Sequence, residues 1–195
     1  VSIEVLVNDS DGFADIQEVS YTFKNETRNF FLERNISLTA AIYKSNLSLG
    51  SSFLAGEYTI NLFAKDREVS IEANQSFEYE GILRTELNRT SFQMSLHSGE
   101  ASEQVLQIYN WGNVLVDTEI SAEDLYTETE IIEKNALEVF DEVWLPLGNP
   151  IFLNSNIAPQ NAKELQFRLR VPQTASSGKY KGMITITSME SKDVE

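Results

Sequence analysis

The sequence has no cysteine and a single histidine, His97, among its 195 residues. Without cysteine there can be no disulfide, no thiol nucleophile and no thiolate metal ligand. One histidine cannot form a histidine-rich metal site. His97 adjoins Ser98, but no G-x-S-x-G motif accompanies the pair, so a serine-hydrolase triad is not indicated. We assign no catalytic residue and expect a protein that is not an enzyme.

Basic residues are also scarce, because 15 Lys and Arg face 30 Asp and Glu, giving a formal net charge of −15. Such a surface repels nucleic-acid phosphates and anionic membranes, so we expect no nucleic-acid partner. No apolar run approaches the roughly 20 residues that span a bilayer, and no secretory leader is present. We expect no membrane insertion within this segment. Because the chain begins at Val1, we expect it to be a processed or excised part of a longer protein.

The residues that are present favour strands. Hydrophobic residues make up 42% and aromatic residues 10% of the chain, enough for packed cores. Apolar and polar residues alternate with the period of half-buried strands. The alternating segments are residues 1–7, 19–23, 36–42, 58–64, 69–79, 92–96, 105–109, 114–116, 165–171 and 183–187. The acidic residues 121–142 fit a 3.6 period poorly, so a turn of helix at most is expected there.

The length predicts two domains, since an Ig-type sandwich takes about 100 residues. Residues 80–88 (EGILRTELN) carry a glycine and flanking charges after the last strand of the first half, and we place the joint there. Both halves place Gly two residues before Tyr near a late strand, Gly56 with Tyr58 and Gly178 with Tyr180. The predicted fold is all-β, with two Ig-like β-sandwich domains in tandem over residues 1–81 and 82–195.

Asn-x-Ser/Thr triplets are concentrated in the first half. With 15 Asn and 32 Ser plus Thr in the chain, about two or three triplets are expected by chance. Six occur, at Asn8, Asn25, Asn35, Asn46, Asn74 and Asn88. N-glycosylation predicts exposed acceptors and an extracellular chain; the alternative is that Asn, Ser and Thr simply share a preference for turns. We favour glycosylation and a location at the cell surface.

Several segments resemble known surface modules. Residues 5–19 (VLVNDSDGFADIQEV) and 55–66 (AGEYTINLFAKD) are similar to the tandem Ig-like modules of archaeal and bacterial cell-surface and S-layer-associated proteins. Residues 98–107 (SGEASEQVLQ), 109–114 (YNWGNV) and 171–188 (VPQTASSGKYKGMITITS) are similar to PapD-like, NEW-type surface domains. The resemblance covers about a third of the chain. It implies a sandwich fold and a surface location, and it implies no activity.

One loop has the spacing of a calcium site. Asp9, Asp11, Asp15 and Glu18 match the third, fifth, ninth and twelfth places of an EF-hand loop, with Gly12 at the sixth. The first place, usually Asp, is Val7, and the residues on either side of the loop have the alternation of strands. The segment is therefore either a calcium loop or an ordinary Asp-Gly turn. Calcium is the one cofactor that we consider.

Three functional hypotheses follow. The leading one is a non-catalytic structural or adhesive module, such as a surface-layer or filament subunit, whose partners are neighbouring surface proteins or further copies of itself. In one variant residues 1–7 are donated as a strand to a neighbour. The second is a carbohydrate-binding accessory domain of a larger surface enzyme, with Trp111, in a predicted turn, stacking on a sugar. The third, an enzyme acting alone, lacks support.

Overall fold

The computed structural model describes residues 1–191 and confirms the all-β prediction. Every strand pair in it is antiparallel, and its helical content is two short 3-10 turns, Phe13–Asp15 and Lys134–Ala136. No helix among the described residues has the length and apolar character to cross a membrane. The chain divides into two compact units. The first comprises Val1–Gly50 and Ala55–Glu80, and the second comprises Ser51–Leu54 and the chain from Gly81 onward.

The first unit is a sandwich of seven strands. In chain order these are β1 (Ser2–Asn8), β2 (Glu18–Phe23), β3 (Glu26–Asn29), β4 (Phe31–Asn35), β5 (Ala40–Asn46), β6 (Gly56–Lys65) and β7 (Ser70–Tyr79). One sheet has the order β1-β5-β4 and the other β3-β2-β6-β7. A single residue, Phe30, joins β3 to β4, so the chain passes at once from one sheet to the other.

Both sheets contribute to the first core. Val19, Tyr21 and Phe23 alternate along β2 and are buried, as the period of a strand with one core face requires. The Tyr21 ring packs edge-on against Phe30 at 5.4 Å, and its hydroxyl donates to the carbonyl of Asn46 at 3.0 Å. That bond ties β2 to the end of β5 in the opposite sheet.

The second unit is a larger sandwich with one additional hairpin. Its strands are β8 (Thr85–Leu87), β9 (Ala101–Asn110), β10 (Val116–Ala122), β11 (Leu125–Tyr126), β12 (Ile131–Ile132), β13 (Leu137–Asp141), β14 (Val143–Pro146), β15 (Ile151–Ile157), β16 (Ala162–Arg170) and β17 (Ile184–Glu190). The sheets have the orders β14-β13-β16-β9-β8 and β15-β10-β17, and β11 pairs with β12.

The core of the second unit is aliphatic. Its buried side chains come from both sheets and are Leu106, Ile108, Val116, Ile120, Leu137, Val139, Leu153, Ile157, Leu165, Phe167 and Leu169. The alternation of Leu165, Phe167 and Leu169 along β16 supplies the middle of the five-stranded sheet. Full burial of each such side chain stabilises the fold by about 1.5–3 kcal/mol.

Three expectations need correction. Phe92, Met94 and Leu96 were predicted to open a strand, but residues 91–97 form none. Their alternation is real, since each is half-buried and Phe92 packs on Phe167 at 5.9 Å. Alternation reports which side is buried, and it does not guarantee a hydrogen-bonded neighbour. The predicted joint at residues 80–88 is also shorter, because β8 pairs with β9 there.

The third correction concerns strand donation. β1 pairs with β5 along its whole length, from Ser2 opposite Asn46 to Asn8 opposite Ala40. The hypothesis that residues 1–7 are lent to a neighbouring subunit is therefore wrong. The strand completes the smaller sheet of its own sandwich.

Candidate functional site

The strongest candidate site lies on the outer face of the five-stranded sheet, at the turn that follows β9. Asn110, the last residue of β9, is completely buried. Its Nδ2 donates to the carbonyls of Val114 at 2.7 Å and Ile157 at 2.8 Å, and its Oδ1 accepts the N–H of Gly112 at 2.9 Å. All the polar atoms of this side chain are used to fix the turn, which keeps its burial from being costly.

Gly112 lets the turn lie close against the chain before β8. A Cβ atom at this position would stand 1.9 Å from the carbonyl oxygen of Ile82, so only glycine fits. The N–H groups of Trp111 and Gly112 both donate to the carbonyl of Arg84, at 2.8 and 3.2 Å. The sequence Asn-Trp-Gly-Asn thus holds Trp111 at a fixed place beside β8.

Trp111 begins a row of side chains that we call the Trp111 strip, consisting of Trp111, Tyr109, Gln107, Glu86 and Glu164. The indole is 44% exposed and lies parallel to the Tyr109 ring, with centroids 5.8 Å apart and 7° between planes. Its Nε1 donates to Glu86 at 3.0 Å. The Tyr109 hydroxyl donates to Gln107 at 2.7 Å, and Gln107 Nε2 donates to Glu164 at 3.1 Å.

The chemistry of the Trp111 strip suits a sugar. The apolar C–H face of a pyranose can stack on an exposed indole, which offers a large apolar area together with a polar N–H group. Carboxylate and amide oxygens accept hydrogen bonds from hydroxyl groups. Because the indole is tied to Glu86 and stacked on Tyr109, it is oriented before a ligand arrives, and less entropy is lost on binding.

Trp144, the other tryptophan, is arranged differently. The Arg168 guanidinium lies over its ring at 4.0 Å. Glu138 accepts hydrogen bonds from Arg168 Nε at 2.5 Å and Arg170 Nε at 2.9 Å. Burial opposes ionisation of Glu138, but the bonds from the two arginines outweigh it and hold its pKa below the usual value. Trp144 is covered by the chain's own cation and is half-buried, whereas Trp111 is among the exposed residues, which makes Trp111 the better sugar platform.

Sequence reasoning found Trp111 but missed its neighbours. Gln107 and Tyr109 share a face because they alternate with buried Leu106 and Ile108, a signal that the sequence contains. Glu86 joins them only because β8 pairs with β9 in a register that sets it opposite Tyr109. That register is a long-range fact, and no local pattern shows it.

All six sequon asparagines are exposed. Asn8, Asn35 and Asn46 are the last residues of β1, β4 and β5, Asn25 lies in the β2–β3 turn, Asn74 lies within β7, and Asn88 directly follows β8. Asn25 and its neighbour Lys24 both have positive φ, 67° and 45°, as a two-residue hairpin turn requires. Five of the acceptors are in the first unit. Their exposure is what glycan attachment needs, and glycosylation itself stays a prediction.

The predicted calcium ligands are dispersed over several local contacts. Asp9 Oδ1 accepts the N–H of Asp11 at 3.0 Å, and Glu18 in β2 accepts the hydroxyl of Ser20 at 3.1 Å. Burial raises the pKa of Asp15, and the nearby Asp9 carboxylate raises it further. Within residues 1–191, no group of three or more His, Asp or Glu side chains is placed to hold a metal. Calcium binding at Asp9, Asp11, Asp15 and Glu18 stays a prediction.

His97 lies in a surface turn. Its side chain is 88% exposed, and Nδ1 lies 3.5 Å from Glu100 Oε2. The same carboxylate accepts the backbone N–H of His97 at 2.8 Å. These contacts describe an exposed turn closed by Glu100.

Comparison with known proteins assigns no family. No family model matches the chain, and no curated protein matches its sequence significantly. Among solved structures, it is similar to the CsuC–CsuE chaperone–tip adhesion subunit complex of Acinetobacter baumannii Csu pili, at 11% identity and a TM-score of 0.43, covering 95% of this chain and 91% of that one. A chaperone–tip adhesin complex of CFA/I fimbriae biogenesis gives 14% identity and a TM-score of 0.40, covering 96% and 84%.

A third solved structure, the secreted serine protease VesC from Vibrio cholerae, gives 12% identity and a TM-score of 0.28, covering 96% of this chain and 47% of that one. With every TM-score below 0.5, these likenesses assign neither a family nor an activity. The function must therefore be inferred from the residues of this chain.

Proposed function

We propose that the chain is a non-catalytic, extracellular structural or adhesive module of a cell-surface protein. The observation that carries this proposal is the exposure of all six sequon asparagines, because an N-glycan can be accommodated only where the acceptor faces solvent. The two buried asparagines of the chain, Asn110 and Asn113, are both outside the sequons.

Exposed apolar side chains at a sheet edge support contact with neighbouring proteins. Phe31 and Leu32 on the edge strand β4 are 76% and 51% exposed, and Leu38 in the following turn is 87% exposed. Exposed apolar groups at an unpaired sheet edge can contribute to an interaction surface. Neighbouring surface proteins or further copies of the chain are the partners proposed for this edge.

The experiment is the intact mass of the natively expressed protein before and after enzymatic deglycosylation. A mass excess that disappears on treatment, and that falls stepwise in Asn-to-Gln variants of the acceptors, supports the extracellular module. The matched control is Asn61→Gln, an exposed asparagine outside any sequon, which should leave the excess unchanged. An unmodified native mass would contradict the proposal and favour the alternative that the triplets are turn residues.

A second candidate function is carbohydrate binding through the Trp111 strip. The observation that favours it is the parallel stack of an exposed indole on Tyr109, beside Glu86 and Gln107. A glycan array followed by titration calorimetry tests it, with Trp111→Ala as the variant and Phe152→Ala, an exposed aromatic on the other sheet, as the control. Binding that is lost only in Trp111→Ala supports the site; binding that is absent in the wild type, or unchanged by Trp111→Ala, overturns it.

A further inference from the structure

The outer face of the four-stranded sheet in the first unit is polar except for one aromatic ring. On β6, Ile60 is buried in the core and Phe63 points to the opposite face, half-buried. Phe63 stands between Ser20 of β2 and Glu72 of β7 in the register of the sheet. Ser20 also faces outward, yet it is only 3% exposed. The half-buried Phe63 ring therefore leaves an apolar surface on the solvent side of this sheet.

Asn74 lies one register step from that ring. It pairs with Asn61 across β6 and β7, while Phe63 pairs with Glu72, so Asn74 and Phe63 are diagonal neighbours on the same face. Diagonal neighbours in an antiparallel pair are about 7–8 Å apart, within reach of long side chains and their attachments. Phe63, Asn61, Glu72 and Asn74 all line one shallow groove on this face.

We infer that this groove is a seat for the N-linked glycan carried by Asn74. The inference depends on the proposed glycosylation. Glycosylation forms a bond between the anomeric carbon of an activated sugar-phosphate and Asn74 Nδ2, with loss of an amide proton and departure of the donor phosphate. The first sugar then lies over the Phe63 ring through its apolar C–H face. Asn61 and Glu72 offer amide and carboxylate partners for its hydroxyl groups.

Two other acceptors of the first unit, Asn35 and Asn25, are placed differently. Asn35 at the end of β4 stands opposite Ala41, which has no ring for a sugar to cover. Asn25 occupies a two-residue turn. A glycan on Asn74 is therefore expected to stabilise the first unit, whereas a glycan on Asn35 is expected to be held only by its covalent link.

The test is a double-mutant cycle on the natively glycosylated protein. Wild type, Asn74→Gln, Phe63→Leu and the double variant are compared by their melting temperatures, followed by far-ultraviolet circular dichroism. Phe63→Leu keeps an apolar side chain over Ser20 and removes only the ring. Asn74→Gln should lower the melting temperature of the first unit by about 4 °C in the Phe63 background and by ~1 °C or less when combined with Phe63→Leu.

The control variant Asn35→Gln should shift the transition equally in both backgrounds. If Asn74→Gln lowers the melting temperature by the same amount with and without Phe63→Leu, the proposed glycan seat on Phe63 is wrong. Peptide mass mapping of Asn74 distinguishes failure of the glycan seat from failure of the proposed function. An occupied Asn74 without coupling to Phe63 refutes the seat and leaves the proposed function standing, whereas an unmodified Asn74 on a chain glycosylated elsewhere refutes the seat alone. A chain with no glycan at any acceptor refutes both.

Discussion

At the scale of single residues, the turn after β9 depends on Gly112. The Gly112→Ala variant would place its Cβ 1.9 Å from the carbonyl oxygen of Ile82, a backbone atom that cannot rotate away. We expect a loss of about 1–3 kcal/mol in the free energy of unfolding, measured by urea titration, and a red shift of Trp111 fluorescence as the indole is displaced from Tyr109. Gly178→Ala is the control, because the nearest atom there is a side-chain methyl of Thr127 at 3.2 Å. Equal losses in the two variants would contradict this account.

The pKa shift of Asp15 predicts that folding stability falls as pH rises, the opposite of what an ion-paired carboxylate produces. Its Oδ1 is buried without a hydrogen-bond partner among the described residues, and burial together with the Asp9 carboxylate raises its pKa above the unfolded value. The folded state therefore holds this proton more tightly, so stability falls as pH rises from the unfolded pKa through the folded pKa. The Asp15→Asn variant has no carboxyl group to ionise at this position, so it should not lose this stability as pH rises. In EDTA it should raise the melting temperature at pH 7 and leave it nearly unchanged at pH 3.

The control for Asp15 is Asp11→Asn in the exposed turn nearby, which is expected to have little effect at either pH. A gain at pH 3 as large as at pH 7 would show that charge is not the cause. The same melting temperatures are also measured with calcium in place of EDTA. If Asp9 and Asp15 bind the ion, calcium raises the melting temperature of the wild type and not of Asp15→Asn.

At the scale of strands and loops, the sequence predicts exposure better than pairing. Alternation located β2, β6, β9 and β16 because each has one face in a core. The same rule placed a strand at Phe92, where alternate side chains pack inward while the backbone pairs with no neighbour. The hairpin of β13 and β14 was missed because its acidic residues hide the alternation of buried Leu137 and Val139. The candidate site could be predicted only in part for the same reason. Trp111 lies in a turn that the local sequence shows, whereas Glu86 joins it through the register of β8 and β9, which the local sequence does not show.

The loop before β17 is joined to the β11–β12 hairpin by the Glu130 carboxylate and by a backbone bridge between Tyr126 and Lys181. Glu130 accepts hydrogen bonds from the Tyr180 hydroxyl at 2.5 Å and from the backbone N–H and the hydroxyl of Ser176. The hydroxyl of Ser176, then that of Tyr180, holds the pKa of Glu130 below its usual value. The Tyr180 hydroxyl also lies 3.2 Å from the carbonyl of Ser176, which gives the loop a second contact of its own.

Glu130→Ala should therefore loosen a loop without unfolding the sandwich. We expect faster amide hydrogen exchange across residues 176–180, while the Lys181 N–H stays protected by its bond to the carbonyl of Tyr126. The cooperative unfolding transition should change little, since local openings are independent of the core. Hydrogen exchange read by mass spectrometry measures both. Glu128→Ala, two residues away on the same hairpin loop, is the control and should leave the exchange of this loop unaltered. Protection that survives in Glu130→Ala would show that the loop is held by other contacts.

At the scale of the whole molecule, the two units differ in their numbers of acceptor asparagines and of tryptophans. Five of the six acceptor asparagines belong to the first unit, and both tryptophans, Trp111 and Trp144, belong to the second. Tryptophan fluorescence therefore reports unfolding of the second unit, while circular dichroism reports both. Each unit has its own buried core, so the effect of a change in one can be followed separately from the other.

This distribution predicts how deglycosylation acts. In the Asn88→Gln background no acceptor remains in the second unit. Enzymatic deglycosylation should therefore shift the circular dichroism transition and leave the tryptophan transition within about 1 °C, a change that corresponds to well under ~1 kcal/mol. The direction should be downward if a glycan on Asn74 covers Phe63 as we propose. A tryptophan transition that moves together with the other would show that the two cores unfold as one cooperative body, and stability changes in the first unit would then reach the Trp111 strip.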